Sequence, residues 1–132
     1  MTLVVDASCV VAALVDDGPD GRWAEAQLAE HALAAPHLML VEAANILRRA
    51  VLAGDLSADV GSLAHADLLL LRVGLFSYEP FADRVWELRE AVTTYDGWYV
   101  AVAESLSAPL ATIDTKLSRV HGPRCVFRTP AR

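Results

Sequence analysis

The sequence predicts an α/β protein in which a short-stranded parallel sheet is flanked by helices in three layers. Two observations predict it. The β-type runs, Leu3 to Val5, Val73 to Tyr78, Leu110 to Ile113 and Cys125 to Phe127, are short and largely apolar, as strands covered on both faces are. Between the first three of them lie stretches of helical character long enough for the crossover connections that parallel strands need. A chain of 132 residues has the size of one domain, here 1–132, and can bury a core without disulfide support.

Leu3 to Val5 ends at Asp6, and Ala7 to Val15 continues as an apolar helix closed by the turn residues Asp16 to Gly21. Asp20 is a candidate cap for a second helix, Arg22 to about Leu33, with Trp23, Ala26 and Leu33 facing inward. Pro36 opens a third helix that runs to Ala53 and stops at Gly54, with Leu38, Val41, Ile46 and Leu47 as its apolar positions. Ser57 begins a fourth, to about Arg72, coupled to the third as a helical hairpin through Gly54 and Asp55. After the strand Val73 to Tyr78, Pro80 starts a helix to about Thr93. Asp96 precedes another, Trp98 to Ser105, whose alanines and valines imply burial. Leu110 to Ile113 ends at Asp114, Thr115 to Val120 makes one or two helical turns, and Cys125 to Phe127 is a last strand.

Composition removes several classes. Hydrophobic residues make up 55% and charged residues 21%, far from the balance of disordered chains. The longest apolar stretch, Leu68 to Phe76, is interrupted by Arg72 and is too short to span a bilayer. Met1 to Val5 lacks a positive leader, and Asp6 interrupts before a secretory core forms, so the expectation is a cytoplasmic protein. Cys9 and Cys125 have no paired spacing and read as small core residues. His31, His37, His65 and His121 form no zinc pattern. The net charge of −6 argues at first against a nucleic-acid partner. If four of the 17 acids form a metal centre, however, the remaining thirteen nearly balance the 11 basic residues, and bound cations invert the local field.

Four acids stand in unexpected company. Asp6 follows Leu-Val-Val, Glu42 follows Leu-Met-Leu-Val, Asp114 follows Leu-Ala-Thr-Ile, and Asp96 stands at the start of a buried helix. A carboxylate in apolar surroundings is partly desolvated, and an isolated one takes up a proton. Each has an ordinary reading: Asp6 and Asp96 can cap helices, and Glu42 can pair with an arginine. Taken together they predict a convergent cluster, because ligands bind at the carboxyl ends of parallel strands, where Asp6 and Asp114 fall. Such a cluster calls for a neutralising cation, and oxygen ligands suit Mg²⁺ or Mn²⁺. Asn45, three residues after Glu42, can orient that carboxylate or a water, or can serve helix packing. Ser8 and Thr112, each two residues from an acid, can bond the acids or a substrate phosphate, or can serve capping and strand packing.

Val-Val-Asp6-Ala-Ser8, Val-Glu42-Ala-Ala-Asn45, Tyr-Asp96-Gly-Trp-Tyr-Val-Ala-Val-Ala-Glu104 and Ala-Thr112-Ile-Asp114-Thr-Lys-Leu117 resemble, in order and spacing, the motifs of the PIN-domain ribonucleases. Among these the resemblance is to the VapC-type toxins of VapBC toxin–antitoxin pairs, over nearly the whole chain. It implies a PIN-like fold with Asp6, Glu42, Asp96 and Asp114 as catalytic residues and as ligands of one or two Mg²⁺ or Mn²⁺ ions. It also implies endonucleolytic cleavage of RNA by metal-activated water, a homodimer, and inhibition by a cognate VapB-like antitoxin seated on the surplus apolar surface of the helices around Arg22 to Leu33 and Ile46 to Leu71. Thr115 and Lys116 stand where some relatives carry a further acid. Trp98 is larger than many relatives carry there and is either a packing residue or a stacking surface for a base. Two other readings remain. One is a catalytically degenerate PIN scaffold that binds protein or RNA. The other is a haloacid-dehalogenase-like phosphatase, which would need a second aspartate where Ser8 stands.

Overall fold

In the computed structural model, which describes residues 1–131, β1 (Thr2–Val5) forms the middle of a sheet whose five strands are all parallel, in the order β3-β2-β1-β4-β5. Leu3, Val4 and Val5 are fully buried, as an apolar run in a central parallel strand must be. β1 leads into α1 (Ala7–Val15) and α2 (Pro19–Glu30), then β2 (Ala32–Pro36), α3 (Leu38–Leu52), α4 (Ala58–Leu70) and β3 (Val73–Phe76). A 3₁₀ turn (Glu79–Phe81), α5 (Ala82–Glu87) and α6 (Thr94–Leu106) bring the chain back across the sheet to β4 (Leu110–Ala111). A second 3₁₀ turn (Leu117–Arg119) precedes β5 (Phe127–Arg128). Among the described residues no helix is long and apolar enough to cross a membrane.

The fold class is as the sequence predicts, but one central strand differs. The segment expected to close a helix at Leu33 is instead β2, which pairs Leu33 with Leu3 on one side and with Val73 on the other. Ala-Leu-Ala-Ala has helix propensity, and that weak preference yields to two rows of ladder hydrogen bonds. Pro36, expected to open a helix, closes this strand, and α3 starts at Leu38. On α2 the buried positions are Gly21 and Ala24, while Ala26 is exposed; on α3 Val41 is exposed. The helix expected from Pro80 to Thr93 is a 3₁₀ turn followed by the short α5. The strand Leu110 to Ile113 shortens to two residues, and the last strand moves to Phe127–Arg128.

Two glycines shape the connections. A Cβ on Gly21 would stand 1.7 Å from the carbonyl oxygen of Asp16, so the close approach of α2 to the end of α1 requires glycine. Gly54, with φ +82°, makes the left-handed turn that ends α3 and folds α4 back on it, the helical hairpin read from the sequence. On the far side, α6 packs against β1, β2 and β4, burying Val100, Ala101, Val102 and Ala103.

Chain order places the site. The strands run outward from β1 through β2 to β3, then resume on the opposite side of β1 with β4. The order therefore reverses between β1 and β4, and the crevice at their carboxyl ends is where such sheets bind ligands. Asp6 follows β1, and Thr112 and Asp114 follow β4.

Candidate active site

Asp6 is the N-cap of α1 and is 9% exposed. Its Oδ1 accepts from the Cys9 backbone N–H (2.9 Å) and the Ser8 hydroxyl (2.7 Å), and its Oδ2 accepts from the Thr112 hydroxyl. The cap reading is thus correct, and it leaves the carboxylate at the crevice. Burial pushes the Asp6 carboxyl up to about 6; the bonds from Thr112, Cys9 and Ser8 oppose that rise, and the charge of Asp96 adds to it.

Thr112, fully buried, ties the two strand ends together. Besides donating to Asp6, its hydroxyl oxygen accepts from the Asp114 backbone N–H at 2.9 Å, and its own N–H donates to the Arg128 carbonyl at 3.0 Å. The Ser8 hydroxyl oxygen accepts from the Ile113 N–H at 3.3 Å. Both hydroxyl residues singled out in the sequence therefore bridge β1 and β4. Asp114 is exposed, and its Oδ1 accepts from the Lys116 N–H at 2.9 Å.

Asp96 departs from its expected cap position. α6 begins at Thr94, and the Thr93 hydroxyl is the cap, accepting the Asp96 N–H at 3.1 Å. Because Thr93 supplies the cap, the Asp96 carboxylate stands in the first turn of α6, where the helix dipole favours a negative charge. Asp96 links the group electrostatically: its charge adds to the rise of Asp6 and Glu42, behind burial in both cases. Asp96 is itself raised by burial and then by Asp114.

Glu42 is half-buried on α3, and among the described residues it pairs with no arginine. Its Oε1 accepts from the Tyr99 hydroxyl at 2.6 Å. Asn45 is exposed, and no hydrogen bond among the described residues joins it to Glu42, whose carboxylate Tyr99 reaches from α6 instead. Burial holds the Tyr99 phenol well above its usual range, with Glu42 and Asp6 adding to the effect and a backbone hydrogen bond from Ala7 opposing it. Tyr99 is the residue that sequence reasoning passed over. Its signal was the spacing to Asp96, three residues along one helix and so on one face.

Trp98 lies partly buried and edge-on to Tyr78, with centroids 5.4 Å apart, and its indole Nε1 is buried with no hydrogen-bond partner among the described residues. At the other end of α6, Glu104 accepts from the Arg84 Nε (2.7 Å), the Arg84 Nη2 (3.1 Å) and the Arg124 N–H (2.7 Å). That pairing borders a cavity of about 580 Å³ lined by Met1, Glu104, Pro109, Arg124 and Arg128. Met1 and Pro109 precede β1 and β4, so this cavity lies at the amino ends of the strands, away from the four acids.

The donor chemistry at the carboxyl ends fits a hard divalent cation. It offers carboxylate oxygens, three of them on groups that burial and mutual repulsion push toward protonation, a cost that a cation relieves. The acids approach without closing up: among the described residues, no group of three His, Cys, Asp or Glu side chains is gathered closely enough to hold an ion outright.

The PIN domain family model matches residues 3–123. Ribonuclease VapC1 of Mycobacterium tuberculosis is 37% identical over 126 residues, covering 95% of this chain and 95% of that protein. Among solved structures, PAE2754 from Pyrobaculum aerophilum superposes with a TM-score of 0.72 at 24% identity, covering 96% of this chain and 83% of that one. VapBC2 from Rickettsia felis, bound to a DNA fragment from its promoter, gives 0.66 at 14% identity over 99% and 100%. The parallel sheet, its flanking helices and the extent of these matches together show that the chain belongs to the PIN-domain family, and within it to the VapC ribonucleases.

Proposed function

We propose that the chain, 1–132 acting as one PIN-like domain, is a divalent-cation-dependent endoribonuclease and the toxin of a toxin–antitoxin pair. What supports this reading is that Asp6 and Asp114 follow β1 and β4 at the carboxyl ends of the sheet, and that Asp96 of α6 interacts electrostatically with Asp6, with Glu42 of α3 and with Asp114. These four would hold one or two Mg²⁺ or Mn²⁺ ions. A cation bound there supplies Lewis-acid polarisation of the phosphodiester and makes water a stronger acid.

The chain's own residues set the frame for that chemistry. Ser8, Thr112 and the Cys9 N–H hold Asp6 in one orientation, so a buried oxygen donor is fixed before substrate arrives. Asp96 offers its carboxylate at a helix start without spending it on a cap. Asp114, exposed at the mouth, is the acid nearest solvent and entering RNA. With Ser8 donating to Asp6, position 8 serves the first aspartate rather than supplying the second acid that a phosphatase of the haloacid-dehalogenase type would need.

The partners proposed are RNA as substrate, a second copy as homodimer, and a VapB-like antitoxin, with action in the cytoplasm. VapBC2, among the structural neighbours, supports the antitoxin. So does apolar surface left open on α3 and α4, where Leu52, Leu63 and Leu70 are 70%, 68% and 79% exposed. The test is cleavage of total cellular RNA by purified, antitoxin-free protein with Mg²⁺ or Mn²⁺, against EDTA and Asp96→Asn controls, with fragment ends sequenced. Discrete metal-dependent cuts lost in the variant support the enzyme. Folded, metal-loaded protein that cuts none of several RNA pools would instead leave a binding scaffold.

A further inference from the structure

The Tyr99 hydroxyl stands where three elements meet. It donates to Glu42 Oε1 on α3 at 2.6 Å, lies against the Ala7 backbone at the start of α1, and is carried by α6 one turn beyond Asp96. The ring is 2% exposed, so the hydroxyl cannot swing out to water. Glu42, by contrast, is only half-buried and sits on a flexible side chain facing the like charge of Asp96. Left to itself, such a carboxylate relieves the repulsion by turning toward solvent.

We propose that Tyr99 is a positioning residue: it tethers Glu42 beside Asp96 so that both carboxylates face the cation site together. This inference rests on the metal-dependent reading above and adds to it a residue outside the four acids. One hydroxyl proton engages a single lone pair of Oε1, which leaves Oε2 available as a ligand. Partners that orient a ligating carboxylate in this way contribute about 10- to 100-fold in metal affinity. The bond does for Glu42 what Ser8, Thr112 and the Cys9 N–H do for Asp6. Unlike those, it comes from the helix that carries Asp96, so it fixes two acids relative to each other.

The experiment is calorimetric titration of Mn²⁺ into metal-free wild type, Tyr99→Phe, Glu42→Gln and the double variant, with folding checked by circular dichroism. Tyr99→Phe keeps the buried ring and removes only the hydroxyl. The expected result is Mn²⁺ binding weakened about 10- to 100-fold by Tyr99→Phe, with no further loss when Tyr99→Phe is added to Glu42→Gln. RNA cleavage by Tyr99→Phe should then recover as Mn²⁺ is raised, whereas cleavage by Glu42→Gln should not. Equal Mn²⁺ affinity in wild type and Tyr99→Phe would overturn the tether and leave the metal reading intact. Wild type that binds no Mn²⁺ would overturn the metal reading, and the tether with it. Should Tyr99→Phe fail to fold, the wild type carries the test: the Tyr99 hydroxyl proton, followed by NMR, should stay protected from solvent exchange when Mg²⁺ is added. Its loss on adding Mg²⁺ would overturn the proposal.

Discussion

Replacing Asp6 by asparagine in metal-free protein should make the fold more stable at pH 8, although three hydrogen bonds converge on that carboxylate. Burial lifts the Asp6 carboxyl from 3.8 to about 6, so between those pH values the folded chain holds a proton that the unfolded chain has released. Stability therefore falls as pH rises through that window and stays low above it. Two units at about 1.36 kcal/mol each make the ionised Asp6 a cost of about 3 kcal/mol at pH 8. Asp6→Asn keeps the shape and stays neutral. Its Oδ1 can still accept from Ser8 and Cys9, and its amide can donate to the Thr112 oxygen, so most of that cost is relieved. Urea denaturation with EDTA, near pH 4 and at pH 8, measures the effect. The variant should gain on wild type by up to about 3 kcal/mol between the two, and saturating Mg²⁺ should narrow the gap at pH 8 by stabilising wild type alone. A difference between the two proteins that is the same at both pH values would refute the reasoning.

Other substitutions probe the frame around the acids. Thr112→Val removes the donor to Asp6 and the acceptor for the Asp114 N–H, and should cost about 2–4 kcal/mol in urea denaturation together with loss of RNA cleavage. Glu104→Gln breaks the partly buried pair with Arg84 at the far end of α6. Burial is the largest single influence and would raise the Glu104 carboxyl, but the hydrogen bonds from Arg84 and the Arg124 N–H, with the charges of both arginines, together outweigh it and hold the carboxyl below its usual range. The pair's contribution of about 1–2 kcal/mol is therefore present at neutral pH and lost as pH falls below that range, so the difference from wild type should vanish in acid. Trp98→Phe removes an indole N–H that is buried with no partner among the described residues. It should cost less than about 1 kcal/mol of stability, because the lost ring area is offset by relief of the unsatisfied donor; a loss above about 3 kcal/mol would mean that Nε1 is satisfied in solution.

The sheet was legible in the sequence wherever its strands are apolar and branched, as at Leu3 to Val5 and Val73 to Phe76. It was not legible at Ala32–Pro36, where the residues favour a helix and only pairing with β1 and β3 makes a strand. Asp6, Glu42 and Asp114 stood out because carboxylates in apolar runs are costly, Asp96 because it stands at the start of a buried helix, and Ser8 and Thr112 because they sit within hydrogen-bond reach of the acids along the chain. Tyr99 was hidden for the opposite reason: a tyrosine among alanines and valines reads as core, and its partner Glu42 is 57 residues away. The start of α6 was misplaced because Asp96 and Thr93 are both good caps, and which one serves depends on where the chain enters the helix.

The central claim is that the four acids make one cation site. It is tested most directly by the anomalous scattering of Mn²⁺ in crystals of wild-type protein. A manganese peak is expected at the carboxyl ends of β1 and β4, between Asp6, Asp96 and at least one of Glu42 and Asp114, and absent in Asp96→Asn. Manganese bound only elsewhere, with the crevice empty at saturating concentration, would contradict the claim.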